Sequence, residues 1–159
     1  MTGKTHIMAG IAATTAIVAI TDAYQPEWFI AAGAAGGLLP DICHSGSKIG
    51  RRFPAVSKIV NSLFGHRTFT HSLLFLALLA FILSKFVSNS SITTGILVGM
   101  ATHLLLDATT KQGIKLLYPA KITIRFPVTT RTGGKVEGIL LLVLTVVTLY
   151  YANSMIGLF

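Results

Sequence analysis

Directly after Gly65-His66-Arg67-Thr68-Phe69-Thr70-His71-Ser72 the chain turns apolar and stays so through residues 73–87. That junction constrains the fold more than any other stretch. The apolar run predicts a membrane helix, because a helix satisfies its own backbone groups where no water can. Two histidines and an arginine at its mouth are costly to desolvate, and such groups mark a site.

Residues 7–20, 28–39, 70–87, 92–108 and 137–156 are all apolar enough to be read as spans. Only 11% of the chain is charged, 52% is hydrophobic and the mean hydropathy is +0.72. A soluble domain carries about a quarter charged residues, so lipid is the expected solvent. The prediction is an all-α, polytopic membrane bundle forming one domain over residues 1–159, with five transmembrane helices. Segment 28–39 is short for a span and rich in Ala and Gly. Its Gly33 and Gly37, like Gly95 and Gly99, are four apart and permit close helix packing. Val56, Ile59, Val60, Leu63 and Phe64 recur at helical spacing, which predicts an amphipathic helix at the interface. Ile122, Ile124 and Phe126 alternate with polar residues, which predicts a short strand or hairpin. The basic start and apolar residues 7–20 also describe a secretory signal. Its cleavage would remove His6, so the N-terminus of the mature protein discriminates the two.

The formal charge is +8, from 13 Lys and Arg against 5 Asp and Glu. Lys48, Arg51, Arg52, Lys58 and Arg67 lie in one long loop, and Lys111, Lys115, Lys121, Arg125, Arg131 and Lys135 in the other. Only Lys85 falls on the opposite side. The positive-inside rule therefore places the N-terminus and both loops in the cytoplasm. The lone Cys43 excludes an intrachain disulfide.

With that topology all the histidines fall at one membrane face. His6 starts the first span, Asp41 and His44 follow the second, and His66 and His71 lead into the third. His103 and Asp107 end the fourth, and Glu137 opens the fifth. Asp22 and Glu27 fall on the other face. His103 and Asp107 are four apart and share a helical face. Imidazole and carboxylate suit zinc first, with manganese the alternative. The expected metal ligands are His6, Asp41, His44, His66, His71, His103, Asp107 and Glu137. Each also has a plain structural reading: a packing hydrogen bond for His103, a cap for Asp41, an acid well placed at a helix N-terminus for Glu137. Such a site activates water. Asp41 or Glu137 would take its proton, and Arg67 would hold an anionic group or serve only as a topology charge.

Thr5-His6, Leu38-Leu39-Pro40-Asp41-Ile42-Cys43-His44, the Gly65–Ser72 motif, His103-Leu104-Leu105-Leu106-Asp107 and Glu137 together resemble the YdjM-type bacterial inner-membrane proteins, a family described as membrane-bound metal-dependent hydrolases. That family is distantly similar to zinc-dependent phospholipase C enzymes, whose His, Asp and Glu ligands bind a metal cluster. The resemblance implies a phosphate-ester substrate, and the membrane setting a lipid. Cys43 stands where an aspartate is common and Thr68 where a glycine is common, which affects one carboxylate ligand.

The expectation is thus an inner-membrane hydrolase of phosphoric esters, with membrane lipid as substrate and anionic headgroups as partners. A metal or proton transporter is the first alternative, although the middles of the spans offer almost only Thr, Ser and Gly. A non-catalytic binder of anionic lipid or nucleic acid is the second. Nucleic acid is the less favoured partner, because no basic platform interleaved with aromatics is visible.

Overall fold

The computed structural model describes residues 1–65, 67–127 and 129–156. Its regular structure is helical: α1 (Gly3–Ile20), α2 (Pro26–Gly36), α3 (Lys48–Arg52), α4 (Pro54–Phe64), α5 (Leu73–Phe86), α6 (Ser90–Ala108) and α7 (Lys135–Ile156). Two 3-10 turns, Leu39–Cys43 and Phe69–His71, precede α3 and α5. The all-helical membrane bundle expected from the sequence is what forms.

Its packing is inverted relative to a soluble core. Phe81 is 62% exposed and Leu142 64%, whereas Thr5, His6, Thr14, His103 and Asp107 are buried. Large apolar surface facing outward marks contact with lipid. Of the five expected spans, α1, α6 and α7 are long and apolar enough to cross a membrane by length and composition. The other two are shorter, α5 with 14 residues and α2 with 11. A helix of 11 residues is about 16 Å long, roughly half the hydrocarbon thickness. Instead of crossing alone, α2 packs between α1 and α6.

Small residues make that packing possible. A Cβ at Gly10 or at Gly99 would collide with the carbonyl oxygen of Gly33. Backbone-to-backbone contact of this kind drives helix association where no hydrophobic effect operates. It also draws the start of α1 and the end of α6 onto the turn that follows α2.

The interfacial helix is present as α4, with Val56, Ile59 and Leu63 exposed. The second basic loop folds back over the end of the bundle. Leu73 N donates to Leu116 O at 2.9 Å, and Phe126 N to Ala108 O at 3.0 Å. The hairpin expected around residues 122–126 does not form as strands among the described residues. It reduces to isolated bridges, Ile114 with Ile124 and Thr110 with Thr130. Ile122 and Phe126 are exposed there, with no third strand to extend the pairing.

Candidate metal centre

Four separate segments meet at one end of the bundle. α1 brings His6, the Leu39–Cys43 turn brings Asp41, the Phe69–His71 turn brings His71, and α6 brings His103 and Asp107. Local chemistry aims each of them. Pro40 sits in the first positions of its 3-10 turn, and Ser47 Oγ donates to the Asp41 carbonyl at 2.8 Å. Ser72 caps α5 by accepting from Phe75 N at 3.2 Å. His71 is thereby left in the turn, outside the apolar helix.

The distances are short. His6 Nε2 lies 3.2 Å from Asp107 Oδ1, and His71 Nε2 lies 3.5 Å from Asp107 Oδ2. Asp41 Oδ1 is 3.7 Å from His71 Nε2 and 3.8 Å from His103 Nε2. The His6 and His103 rings stack at 3.7 Å between centroids. His103 Nδ1 is 2.7 Å from the carbonyl oxygen of Gly37. A carbonyl only accepts, so Nδ1 carries the proton and Nε2 presents a lone pair to the cluster. His71 is held likewise from behind, by Thr70 Oγ1 at 3.1 Å from Nδ1.

Two cations already face Asp107. The Met1 ammonium is 2.5 Å from Oδ1 and Arg67 Nη2 is 3.2 Å from Oδ2. Arg67 is the one non-glycine residue with positive φ among the described residues, at 56°. From this costly conformation its Nη1 also donates to Thr110 Oγ1 at 3.2 Å.

Burial alone would lower the His71 imidazole and raise the Asp41 carboxyl. Hydrogen bonds to Asp107, Asp41 and Cys43 instead hold His71 up at about 10. The hydrogen bond from His71 and the charges of His103 and His6 hold Asp41 down at about 2. The pocket thus favours positive charge between its carboxylates, whether a proton or a metal cation carries it.

These residues fit a metal ion. His6 Nδ1 is buried without a hydrogen-bond partner, a condition that buried polar atoms rarely tolerate, while His6 Nε2 and Asp107 Oδ2 meet their ion-pair partners at 3.2 Å without hydrogen-bond geometry. Two groups, His6/Asp41/His103 and His71/His103/Asp107, each place their ligand atoms within 4.8 Å of one another. Imidazole nitrogen with carboxylate oxygen is a donor set for zinc or manganese.

A family model described as YdjM inner membrane protein matches residues 1–158. The chain belongs to the YdjM family. It is 52% identical over 151 residues to "Uncharacterized protein YvsG" of Bacillus subtilis (strain 168), covering 95% of this chain and 94% of that one. It is 35% identical over 125 residues to "Inner membrane protein YdjM" of Escherichia coli (strain K12), covering 74% of this chain and 63% of that one. The protein of the same name from Shigella flexneri matches to the same extent. No solved structure matches. As a YdjM-family member with outward-facing apolar helices, this is a membrane protein.

The residues expected as ligands do not all converge. His6, Asp41, His71, His103 and Asp107 form the cluster, with Arg67 against it. His44 is exposed and belongs to neither ligand group among the described residues, because the chain turns away after Cys43. Cys43 itself is buried beside His71 but also stands outside both groups. Glu137 is buried next to α1 rather than in the cluster. Its Oε1 accepts from Thr2 N and Thr5 Oγ1, and its Oε2 from Gly133 N, each at 2.6 Å. Those bonds make it an anchor between α1 and α7. His66 lies outside the described residues. Sequence reading missed the Gly37 carbonyl, which leaves no side-chain signal. It also missed Thr70, which adjacency to His71 could have flagged.

Proposed function

We propose that this YdjM-family protein is a metal-dependent hydrolase that cleaves a phosphate ester of a membrane lipid. The observation that carries this reading is the convergence of His6, Asp41, His71, His103 and Asp107 into two overlapping groups of ligand atoms, with Arg67 3.2 Å from Asp107. His103 can contribute only Nε2, so the two overlapping ligand groups describe one centre with one ion, zinc first and manganese second. Such an ion supplies Lewis acidity and lowers the pKa of water.

The chain's own residues then divide the work. Asp41, side chain 15% exposed against 0% for Asp107, stands on the accessible side. Its low pKa suits a permanently ionised ligand better than a general base. Arg67 orients the anionic group beside the cluster. The excess of Lys and Arg in the loops at this end supports a cytoplasmic site.

Metal analysis of protein purified in neutral detergent without chelators, paired with a lipid-phosphate hydrolysis screen, tests the reading. It requires bound zinc or manganese and metal-dependent phosphate release. One observation favours a different reading, a purely structural ion network: Arg67 and the Met1 ammonium already balance Asp107. Metal-free protein with all five residues intact would establish that alternative.

A further inference from the structure

Beside the His/Asp cluster, on the other side of Arg67, lies a polar cleft of about 330 Å³ lined by Arg67, Gln112, Gly113, Ile114, Lys115 and Thr123. Its polar side chains are donors, and no carboxylate is among its lining residues. Arg67 Nε is buried without a hydrogen-bond partner. No ion pair among the described residues involves Lys115. A cleft with two cations and two neutral donors is complementary to an anion carrying several oxygens.

A second cavity, of about 240 Å³, opens between α5, α6 and the same basic loop. It is almost wholly apolar, with Leu76, Leu104, Leu116, Ile124 and Phe126 among its lining. The two cavities share a wall. Lys115 and Thr123 line the polar cleft, and their chain neighbours Leu116 and Ile124 line the apolar groove. The wall is the bridge between Ile114 and Ile124, closed by Ile114 N to Ile124 O at 3.1 Å and Ile124 N to Ile114 O at 2.8 Å. One paired stretch of backbone thus separates the polar cleft from the apolar groove between α5 and α6.

We propose that cleft and groove are one binding place for a phospholipid, its phosphate held between Arg67 and Lys115 and its acyl chain laid along Leu76, Leu104, Leu116 and Ile124. The inference rests on the reading above for what happens to that phosphate, since Arg67 links the cleft to Asp107. It adds the substrate-binding residues Gln112, Lys115 and Thr123. Lys115 positions the phosphate and takes no part in bond breaking. Inorganic phosphate alone fills the cleft but leaves the groove unused.

The test is equilibrium binding to the full chain in neutral detergent, with three probes: a hydrolysis-resistant phosphonate analogue of dihexanoyl phosphatidate, inorganic phosphate, and dihexanoylglycerol. The phosphonate lipid should bind at least about tenfold more tightly than either other probe, since each of those lacks one of the two contact surfaces. Lys115→Gln and Thr123→Glu, both at the rim and away from the core, should each weaken it about tenfold or more. Ala101→Leu, which narrows the groove, should weaken the phosphonate lipid and leave inorganic phosphate unchanged. Equal affinity for inorganic phosphate, or wild-type binding by both rim variants, overturns the proposal. Metal content measured on the same preparation keeps the two readings apart. Protein that holds metal but not the lipid defeats this inference alone, and protein that holds the lipid but no metal defeats the hydrolase reading alone.

Discussion

His103 Nδ1 donates to the carbonyl oxygen of Gly37 across 2.7 Å. That single bond joins the end of α6 to the end of α2 and settles the ring's tautomer. It is available because Gly37 and Gly99 let the helices approach until backbone meets backbone. The lone pair on Nε2 is the consequence, and it points to His71 Nε2, 3.2 Å away.

His103→Ala should therefore abolish metal binding, because His103 belongs to both ligand groups. Metal analysis should fall from roughly one ion per chain to background. Retention of the full complement by the folded variant would remove His103 from the site.

Glu137→Gln should behave in the opposite way. An amide presents one acceptor where the carboxylate accepts from Thr2, Thr5 and Gly133. Losing a bond to a charged acceptor costs about 1.5–3 kcal/mol, so the thermal midpoint should drop while metal content holds. Metal loss at unchanged stability would instead make Glu137 a ligand.

The titration of Asp41 and His71 shapes the stability of chelator-treated protein. His71 is raised from 6.5 to about 10, so its contribution is complete below pH 6.5 and is lost as pH climbs toward 10. Asp41 is lowered from 3.8 to about 2, so its contribution is present above pH 3.8 and is lost as pH falls toward 2. Thermal unfolding followed by circular dichroism should show the midpoint falling from pH 7 to pH 10, and His71→Gln should flatten that limb. In the same range metal affinity should rise with pH, because the metal displaces the His71 proton. A midpoint that rises through the alkaline range would contradict the assignment.

Gly99→Ala tests whether the site depends on helix approach. Its Cβ would meet the Gly33 carbonyl, and overpacking of this kind costs about 1–3 kcal/mol. For a chain of this size that is a drop of roughly 2–12 °C in midpoint. Metal affinity should fall with it, because α2 carries the Asp41 turn. An unchanged midpoint would show that the two backbones are not in contact.

Much of this was legible along the chain. Long apolar runs satisfy their own backbone groups in lipid as helices, so composition and pattern pointed to the bundle, and periodicity to α4. The small residues four apart in α2 and α6 announced a close contact. Because eleven of the 13 Lys and Arg lie in two loops, the histidines could be placed at one end before any coordinates. His103 and Asp107 shared a face by spacing alone.

Other features had no local signature. Asp41 and His44 stand three apart after the same proline, yet one faces the cluster and the other is exposed. A 3-10 turn rotates successive side chains by more than an α-helix does, and the Ser47 bond to the Asp41 carbonyl sets where that turn ends. Nothing along the chain showed that the oxygens of Glu137 would accept from Thr2, Thr5 and Gly133.

By itself the sequence determined an all-helical membrane protein with its histidines gathered at one end, because lipid admits few backbone conformations and repels charge. The tertiary structure alone decided which of those groups touch. Convergence depends on how closely the helices approach and how two short turns rotate, and neither is encoded at the residues that meet.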